Sequence, residues 1–172
     1  MDDFNTNNPF ILKLHNIILI MDIIDKKIIE LLQFDAGLSA REIAEKVGLT
    51  PAPCWRRIQR LEIEGIISSR VALINPNKVN LSVAAVVEIR TNRHNAEWLR
   101  QFTSALEKFP EIVEAYRTSG EVDYMLRVVA PDMETYDLFY KKLVEEVDLY
   151  DVRSHFVMEE MKKTTALPLQ YC

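Results

Sequence analysis

Three of the four glycines in this 172-residue chain, Gly37, Gly48 and Gly65, each close a stretch of helical periodicity. A chain so poor in glycine has few places to stop a helix in the left-handed conformation, so their spacing sets the lengths of the first elements. From residue 22, Ile24, Ile28, Leu31 and Leu32 fall at i, i+4, i+7 and i+8, on one helical face. Ser39 then opens S-A-R-E with Glu42 three residues on, a capping box, and Ile43, Ala44 and Val47 carry the helix to Gly48. Thr50 is a good N-cap, and Pro51 takes the first helical position, where its missing N–H does no harm. Pro53 still lies in the first turn, which has no intrahelical donors to lose. Three helices with a tight glycine turn between the last two predict a helix-turn-helix.

The third helix carries the chemistry. Stepping about 100° per residue from Cys54 puts Cys54, Ile58 and Leu61 on one stripe. Arg56 and Arg60 then point to the opposite face, with Arg57 and Glu64 flanking one side of the stripe and Trp55 and Glu62 the other. Cys54 is expected in the core, as a small hydrophobe rather than a redox sensor. Trp55 has two readings, packing on a wing or touching DNA, and the sequence leaves both open. Residues 66–76, IISSRVALINP, are short, β-branched and alternating, and read as a hairpin or wing ending at Asn75-Pro76.

The rhythm then changes. Strands are expected at 82–90, 112–118, 123–130 and 152–161, with helices marked by Trp98, Leu99, Phe102, Leu106 and Phe109, and by Met133, Tyr136, Phe139, Leu143 and Val147. The order β-α-β-β-α-β is ferredoxin-like. The fold class is therefore α+β: an N-terminal winged helix-turn-helix at 22–75, a linker at 76–81 and a ferredoxin-like domain at 82–172. Helices cover one face of such a sheet, so the other face solvates or is buried by assembly.

Charge separates the two parts. Residues 36–70 hold six basic and four acidic side chains, a surplus of +2, whereas residues 110–163 hold seven basic and thirteen acidic, a net -6. The basic patch surrounds the third helix, where a DNA-reading face belongs. Cys54 and Cys172 form no disulfide framework, which favours a reducing, cytoplasmic home. The apolar run at 10–21 is too short to span a bilayer. Residues 1–21 are read as an extension outside the fold, with Met21-Asp22 as the natural start and the preceding residues a start-site artefact. No nucleophile–base pair, phosphate-binding glycine loop or metal-ligand spacing points to an enzyme, a catalytic metal or a cofactor. A stand-alone sensor that has lost DNA binding is a further alternative, and the intact basic helix argues against it.

Three segments resemble the leucine-responsive regulatory protein/AsnC family, the feast-or-famine regulators: SAREIAEKVGLTPAPCWRRIQRLEIEGII (39–67) its helix-turn-helix, TSGEVDYML (118–126) its Gly-x-x-Asp-Tyr hairpin, and VRSHFVMEEMKKTTALPL (152–169) its last strand and tail. They come in family order and cover roughly residues 22–169. The resemblance implies a transcriptional regulator that binds operator sites in double-stranded DNA, associates with itself as a dimer and a higher oligomer such as an octamer, and responds to an amino acid. The candidate DNA residues are Ser39, Arg41, Thr50, Pro51, Pro53, Trp55, Arg56, Arg57 and Arg60. Carried over from the family, the candidate effector residues are Ser119, Gly120, Asp123 and Tyr124, with Met133, His155 and Phe156 as neighbours across a contact between dimers. On the residues alone, the better reading of Gly120 and Asp123 is a plain hairpin turn, and the resemblance is what favours ligand binding.

Overall fold

The computed structural model describes residues 21–172, so all of the expected N-terminal extension except Met21 lies outside the described residues. The described chain forms two compact units. One comprises residues up to Ala72 together with Lys163–Cys172, and the other is Leu73–Lys162. The boundary thus falls slightly before the expected linker, and the C-terminal segment belongs to the first unit.

In the first unit, α1 (Ile23–Phe34), α2 (Ala40–Val47) and α3 (Pro51–Ile63) pack around Ile28, Ile29, Leu32, Ile43, Ala44, Cys54, Ile58 and Leu61. Asp22 caps α1 with a reciprocal capping box to Asp25, and Ser39 does the same for α2 with Glu42. Gly48 closes α2 at φ 72°, a left-handed conformation that costs glycine little. The C-terminal segment adds Leu169 to this core. The Gln33 side-chain amide grips the backbone of Leu167 from both sides: Nε2 donates to its carbonyl at 3.2 Å, and Oε1 accepts from its N–H at 2.6 Å. The Lys26 ammonium donates to the carbonyl of Cys172. Leu169→Asp is therefore expected to destabilise this unit by about 1–3 kcal/mol, the scale of a buried aliphatic side chain. Amide exchange in α1 reads the effect, and unchanged protection there would show the segment to be dispensable.

The expected wing does not form in the chain by itself. Residues 66–75 carry no strand or bridge, and Val71, Leu73 and Ile74 are exposed. The alternation is real, but a strand needs a neighbour to take its N–H and C=O groups, and among the described residues none pairs with it.

The second unit has the expected ferredoxin-like topology. Strands β1 (Val83–Arg90), β2 (Ile112–Arg117), β3 (Tyr124–Ala130) and β4 (Asp151–Phe156) form an antiparallel sheet in the order β2-β3-β1-β4. Helices α4 (Ala96–Lys108) and α5 (Met133–Glu146) bury Trp98, Phe102, Ala105, Tyr136, Phe139 and Leu143 against Ala85, Val87 and Ile89 of β1 and Leu126 and Val128 of β3. The last strand stops at Phe156, five residues before its expected end. The opposite sheet face is of mixed character, with ion pairs Arg127–Glu114 at 2.8 Å and Arg153–Asp151 at 3.1 Å.

Candidate DNA-reading helix and effector hairpin

The entry to α3 is unusual in its donors. Thr50 sits at the N-cap with extended backbone, yet its hydroxyl makes no cap bond, contrary to expectation. A capping oxygen accepts from the second or third helical N–H; the third position is Pro53, which has none, and Thr50 does not take up the remaining donor on Ala52. Pro51 removes the first donor as well, and the Cys54 N–H goes to the Thr50 carbonyl at 3.3 Å. Of the first turn, Ala52 alone offers a free backbone N–H, so this helix start cradles an anion poorly through its backbone, and the uncommitted Thr50 hydroxyl becomes its most available donor. Ser39, by contrast, is spent locally: its hydroxyl donates to Glu42 at 2.6 Å, and that bond holds the Glu42 carboxyl below its ordinary pKa.

The arginines divide into two kinds. Arg56 is exposed and has no carboxylate within ion-pair distance among the described residues. Arg41 lies 3.5 Å from Glu45 with both side chains largely in water, a pairing of little energetic consequence. Arg57 and Arg60 turn inward. Arg57 donates to Asp25 at 2.9 Å and to Asp22 at 2.7 Å, and Arg60 donates to Asp25 at 2.5 Å. The Asp25 and Asp22 carboxylates raise the pKa of Arg57 above its already high value. The backbone bond to Asp25 is the largest of the influences that lower the pKa of Asp22, with Arg57 adding to it. The helical wheel set Arg60 on the far face. The structure corrects this, because a long flexible stem lets its guanidinium curl round the helix to a buried acceptor that the wheel does not contain.

Cys54 is fully buried in the core, and burial pushes its thiol pKa up, as for an inert packing residue. Trp55 is 54% exposed. With no wing strand formed, the bracing reading of Trp55 loses its support, and its indole stands on the surface beside Arg56. Pro51 is exposed and Pro53 half-buried.

In the second unit the expected effector residues separate into three places. Ser119 and Gly120 form the exposed tip of the β2–β3 hairpin, with Gly120 at φ 122°, a conformation side-chain-bearing residues rarely adopt. Asp123 binds this tip to the end of β1: its carboxylate accepts from the Thr91 N–H at 2.8 Å, its N–H donates to the Ile89 carbonyl at 3.1 Å, and its carbonyl accepts from the Thr118 N–H at 2.9 Å. The Thr118 hydroxyl also donates to the Val122 carbonyl. Tyr124 leaves the tip altogether and packs its ring against Trp98 and Phe102, at 5.6 and 4.7 Å between centroids. Alternation along β3 takes it to the core, so little of its surface is left for a ligand.

Met133 and Phe156 lie at the other end of the sheet. Phe156 pairs with Ala85, whereas Tyr124, next to the tip, pairs with Ile89. Four residues of β1 separate these positions, about 13 Å at 3.3 Å per residue. Phe156 rests its ring edge-on against Tyr136 at 4.9 Å, and Tyr136, its pKa raised by burial, donates to the Ser154 hydroxyl at 2.6 Å. His155 points to the opposite face, 3.6 Å from Glu88. One copy of the chain therefore does not gather the expected set into a single pocket. The shallow cavity beside the hairpin tip is lined instead by Glu88, Arg90, Glu121, Val122, Asp151 and Arg153, residues the sequence analysis passed over. Strand pairing is what makes them neighbours, and only the tip itself had a motif to mark it.

Asp123→Ala is expected to cost the second unit about 1–3 kcal/mol, because the N–H of the buried Thr91 loses its acceptor. Urea unfolding measures this, and a midpoint equal to that of the parent would show water replacing the carboxylate without loss.

Among the described residues no helix is long and apolar enough to cross a membrane, and no group of three or more His, Cys, Asp or Glu is arranged to hold a metal ion. Comparison with known proteins bears on the arrangement as a whole. Residues 21–68 match a family described as winged helix-turn-helix DNA-binding, and residues 84–167 match the Lrp/AsnC ligand binding domain. The DNA-binding transcriptional activator DecR of Escherichia coli K12 is 46% identical over 87% of this chain and 99% of its own length. An AsnC family transcriptional regulator from Agrobacterium tumefaciens, known by crystal structure, is 52% identical, with a TM-score of 0.84 over 88% of this chain and 99% of that one. The transcriptional regulator NMB0573 of Neisseria meningitidis, solved as a complex with L-Met, is 34% identical with a TM-score of 0.84, over 88% and 98% of the two chains. With a helix-turn-helix unit and a four-stranded ferredoxin-like unit in the same order and over nearly the full length of these relatives, the chain belongs to the Lrp/AsnC family of DNA-binding transcriptional regulators.

Proposed function

We propose that this regulator reads DNA with the exposed edge of α3 and the start of α2, through Arg56, Thr50, Trp55 and Arg41, and that an amino acid bound by the second unit sets its affinity or assembly. The single observation that carries the DNA assignment is Arg56, an exposed cation with no ion pair among the described residues and one residue from an exposed indole on the helix that a helix-turn-helix inserts into the major groove. The amino-acid assignment is supported by the L-Met bound in the Neisseria relative and by carboxylates and guanidiniums together around the hairpin tip, since an α-amino acid presents one group of each sign. The expected ligand residues lie at two ends of one sheet, and a second copy of the chain would bring one end to the other. Exposed Val71, Leu73 and Ile74 and the half-polar sheet face are the surfaces such a dimer or larger assembly would cover. We place the protein in the cytoplasm, with DNA, itself and an amino acid as partners and no catalytic role. Selection of bound duplexes from random sequence, repeated with each of the twenty amino acids, tests this reading. A shared motif whose recovery changes with one amino acid supports it. Binding without any motif, or with no response to any of the twenty, removes its specific or its effector part respectively.

A further inference from the structure

Asp25 is fully buried, and its side chain lies 1% exposed between two guanidiniums. One oxygen, Oδ1, accepts from Arg57. The other, Oδ2, accepts from Arg60 and from the Asp22 N–H at 3.1 Å. Both arginines come from α3 and the carboxylate from α1, so this is a two-pronged tie between helices that otherwise meet through the apolar stripe of Cys54, Ile58 and Leu61 and the bond from Arg57 to the cap residue Asp22. An apolar stripe resists separation but only weakly resists rotation of a helix about its axis, because dispersion contacts are non-directional. Two charge-assisted hydrogen bonds one turn apart, at Arg57 and Arg60, do fix that rotation. The rotation decides where Arg56 and Trp55 point.

We propose that Asp25 is a positioning residue for DNA reading: its buried carboxylate holds Arg57 and Arg60 against α1, sets the rotation of α3, and leaves contact with phosphates and bases to Arg56 and its exposed neighbours. The inference rests on α3 being the helix that meets DNA. It reassigns two of the arginines that sequence placed on the DNA. Arg57 and Arg60 do not swing out to phosphates, because that would strand the buried Asp25 charge with no cation beside it and only the Asp22 N–H as a partner. A phosphate contact in water returns less than that costs.

Salt dependence separates the two roles. A side chain that neutralises a phosphate contributes about 0.9 to the slope of log affinity against log salt, whereas a side chain that only orients the helix contributes affinity and no slope. On a mixed-sequence duplex, Arg56→Ala is expected to lower the slope by about 0.9. Arg57→Ala is expected to lower affinity about thirtyfold, the low end for losing one partner of a buried charge pair, with the slope unchanged. Arg57→Lys keeps the charge but not the planar guanidinium whose Nη1 reaches both Asp22 and Asp25, and should behave like Arg57→Ala. A slope that falls equally for Arg56→Ala and Arg57→Ala, or full affinity in Arg57→Lys, overturns the proposal.

NMR of the guanidinium groups in the DNA-free full chain decides the tie on its own. Arg57 and Arg60 should show slowly exchanging Nη protons that Arg56 lacks, and Asp25→Asn should abolish them. Exchange at Arg57 and Arg60 as fast as at Arg56 in the parent protein overturns the tie even if Asp25→Asn does not fold. A parent protein that ignores the duplex while showing the slow protons would overturn the DNA reading and leave the tie standing.

Discussion

Arg56→Ala combined with Thr50→Val is expected to weaken binding to duplex DNA about a hundredfold while leaving the first unit folded. A hydrogen bond from a charged donor contributes about 1.5–3 kcal/mol and a neutral one about 0.5–1.5 kcal/mol, so losing both corresponds to roughly thirtyfold to a thousandfold in affinity. The fold is spared for two reasons specific to this helix. Among the described residues Arg56 holds no ion pair, so its removal strands no carboxylate there. Thr50 makes no cap bond, so valine takes its place without loss of a hydrogen bond. At most N-caps the same exchange would cost stability. Anisotropy titration of a labelled duplex, paired with thermal unfolding, measures both halves of the expectation. Undiminished affinity would remove α3 as the reading helix, and a lowered melting temperature would show that one of the two side chains supports the fold after all.

What could be read from the sequence follows the range of the interactions involved. The helix limits around Gly37, Gly48 and Gly65, the capping box at Ser39 and the burial of Cys54 depend on residues a few positions apart, and periodicity finds them. The βαββαβ order is equally local, because each strand and helix announces itself by its own period. Arg60 shows where that reasoning ends. A wheel drawn on one helix contains no Asp25, which sits 35 residues earlier, so it points Arg60 at solvent when a buried acceptor draws it inward. The Thr50 cap failed for a different reason. Thr50 is the N-cap residue, but the proline three positions on removes one of the two donors a cap can use, and T-P-A-P shows both facts. The wing and the effector set share a third limit. Residues 66–75 have strand chemistry without a strand beside them, and Gly120 and Phe156 lie at opposite ends of β1. Pairing and register decide both, and neither is written in a single segment.

Phe102→Ala is expected to carry the largest stability cost in the chain, about 3–5 kcal/mol, and to fall on one unit only. Phe102 is 1% exposed, stacks on Trp98 at 5.0 Å and meets Tyr124 at a tilt at 4.7 Å, so its ring links α4 to the strand that begins at the effector hairpin. Removing it leaves a void between two aromatic rings that cannot collapse without displacing a strand. A unit of this size has a total stability of about 5–13 kcal/mol, so the loss is a large share of it. The first unit has its own core, built from none of the same residues, and should keep its helices. The two tryptophans make this visible, because Trp98 is buried in the second unit and Trp55 exposed on the first. Unfolding in urea should bring the red shift of Trp98 to lower denaturant in the variant, while amide protection in α1 persists. A single shared transition for both probes would show that the units stabilise one another and that the cores are separate only in composition. Below the transition, the variant should still bind duplex DNA through the first unit, yet lose its response to an amino acid. Asp123 directly precedes the strand whose first residue, Tyr124, has lost its neighbour, so the hairpin tip is no longer held to β1 in one geometry.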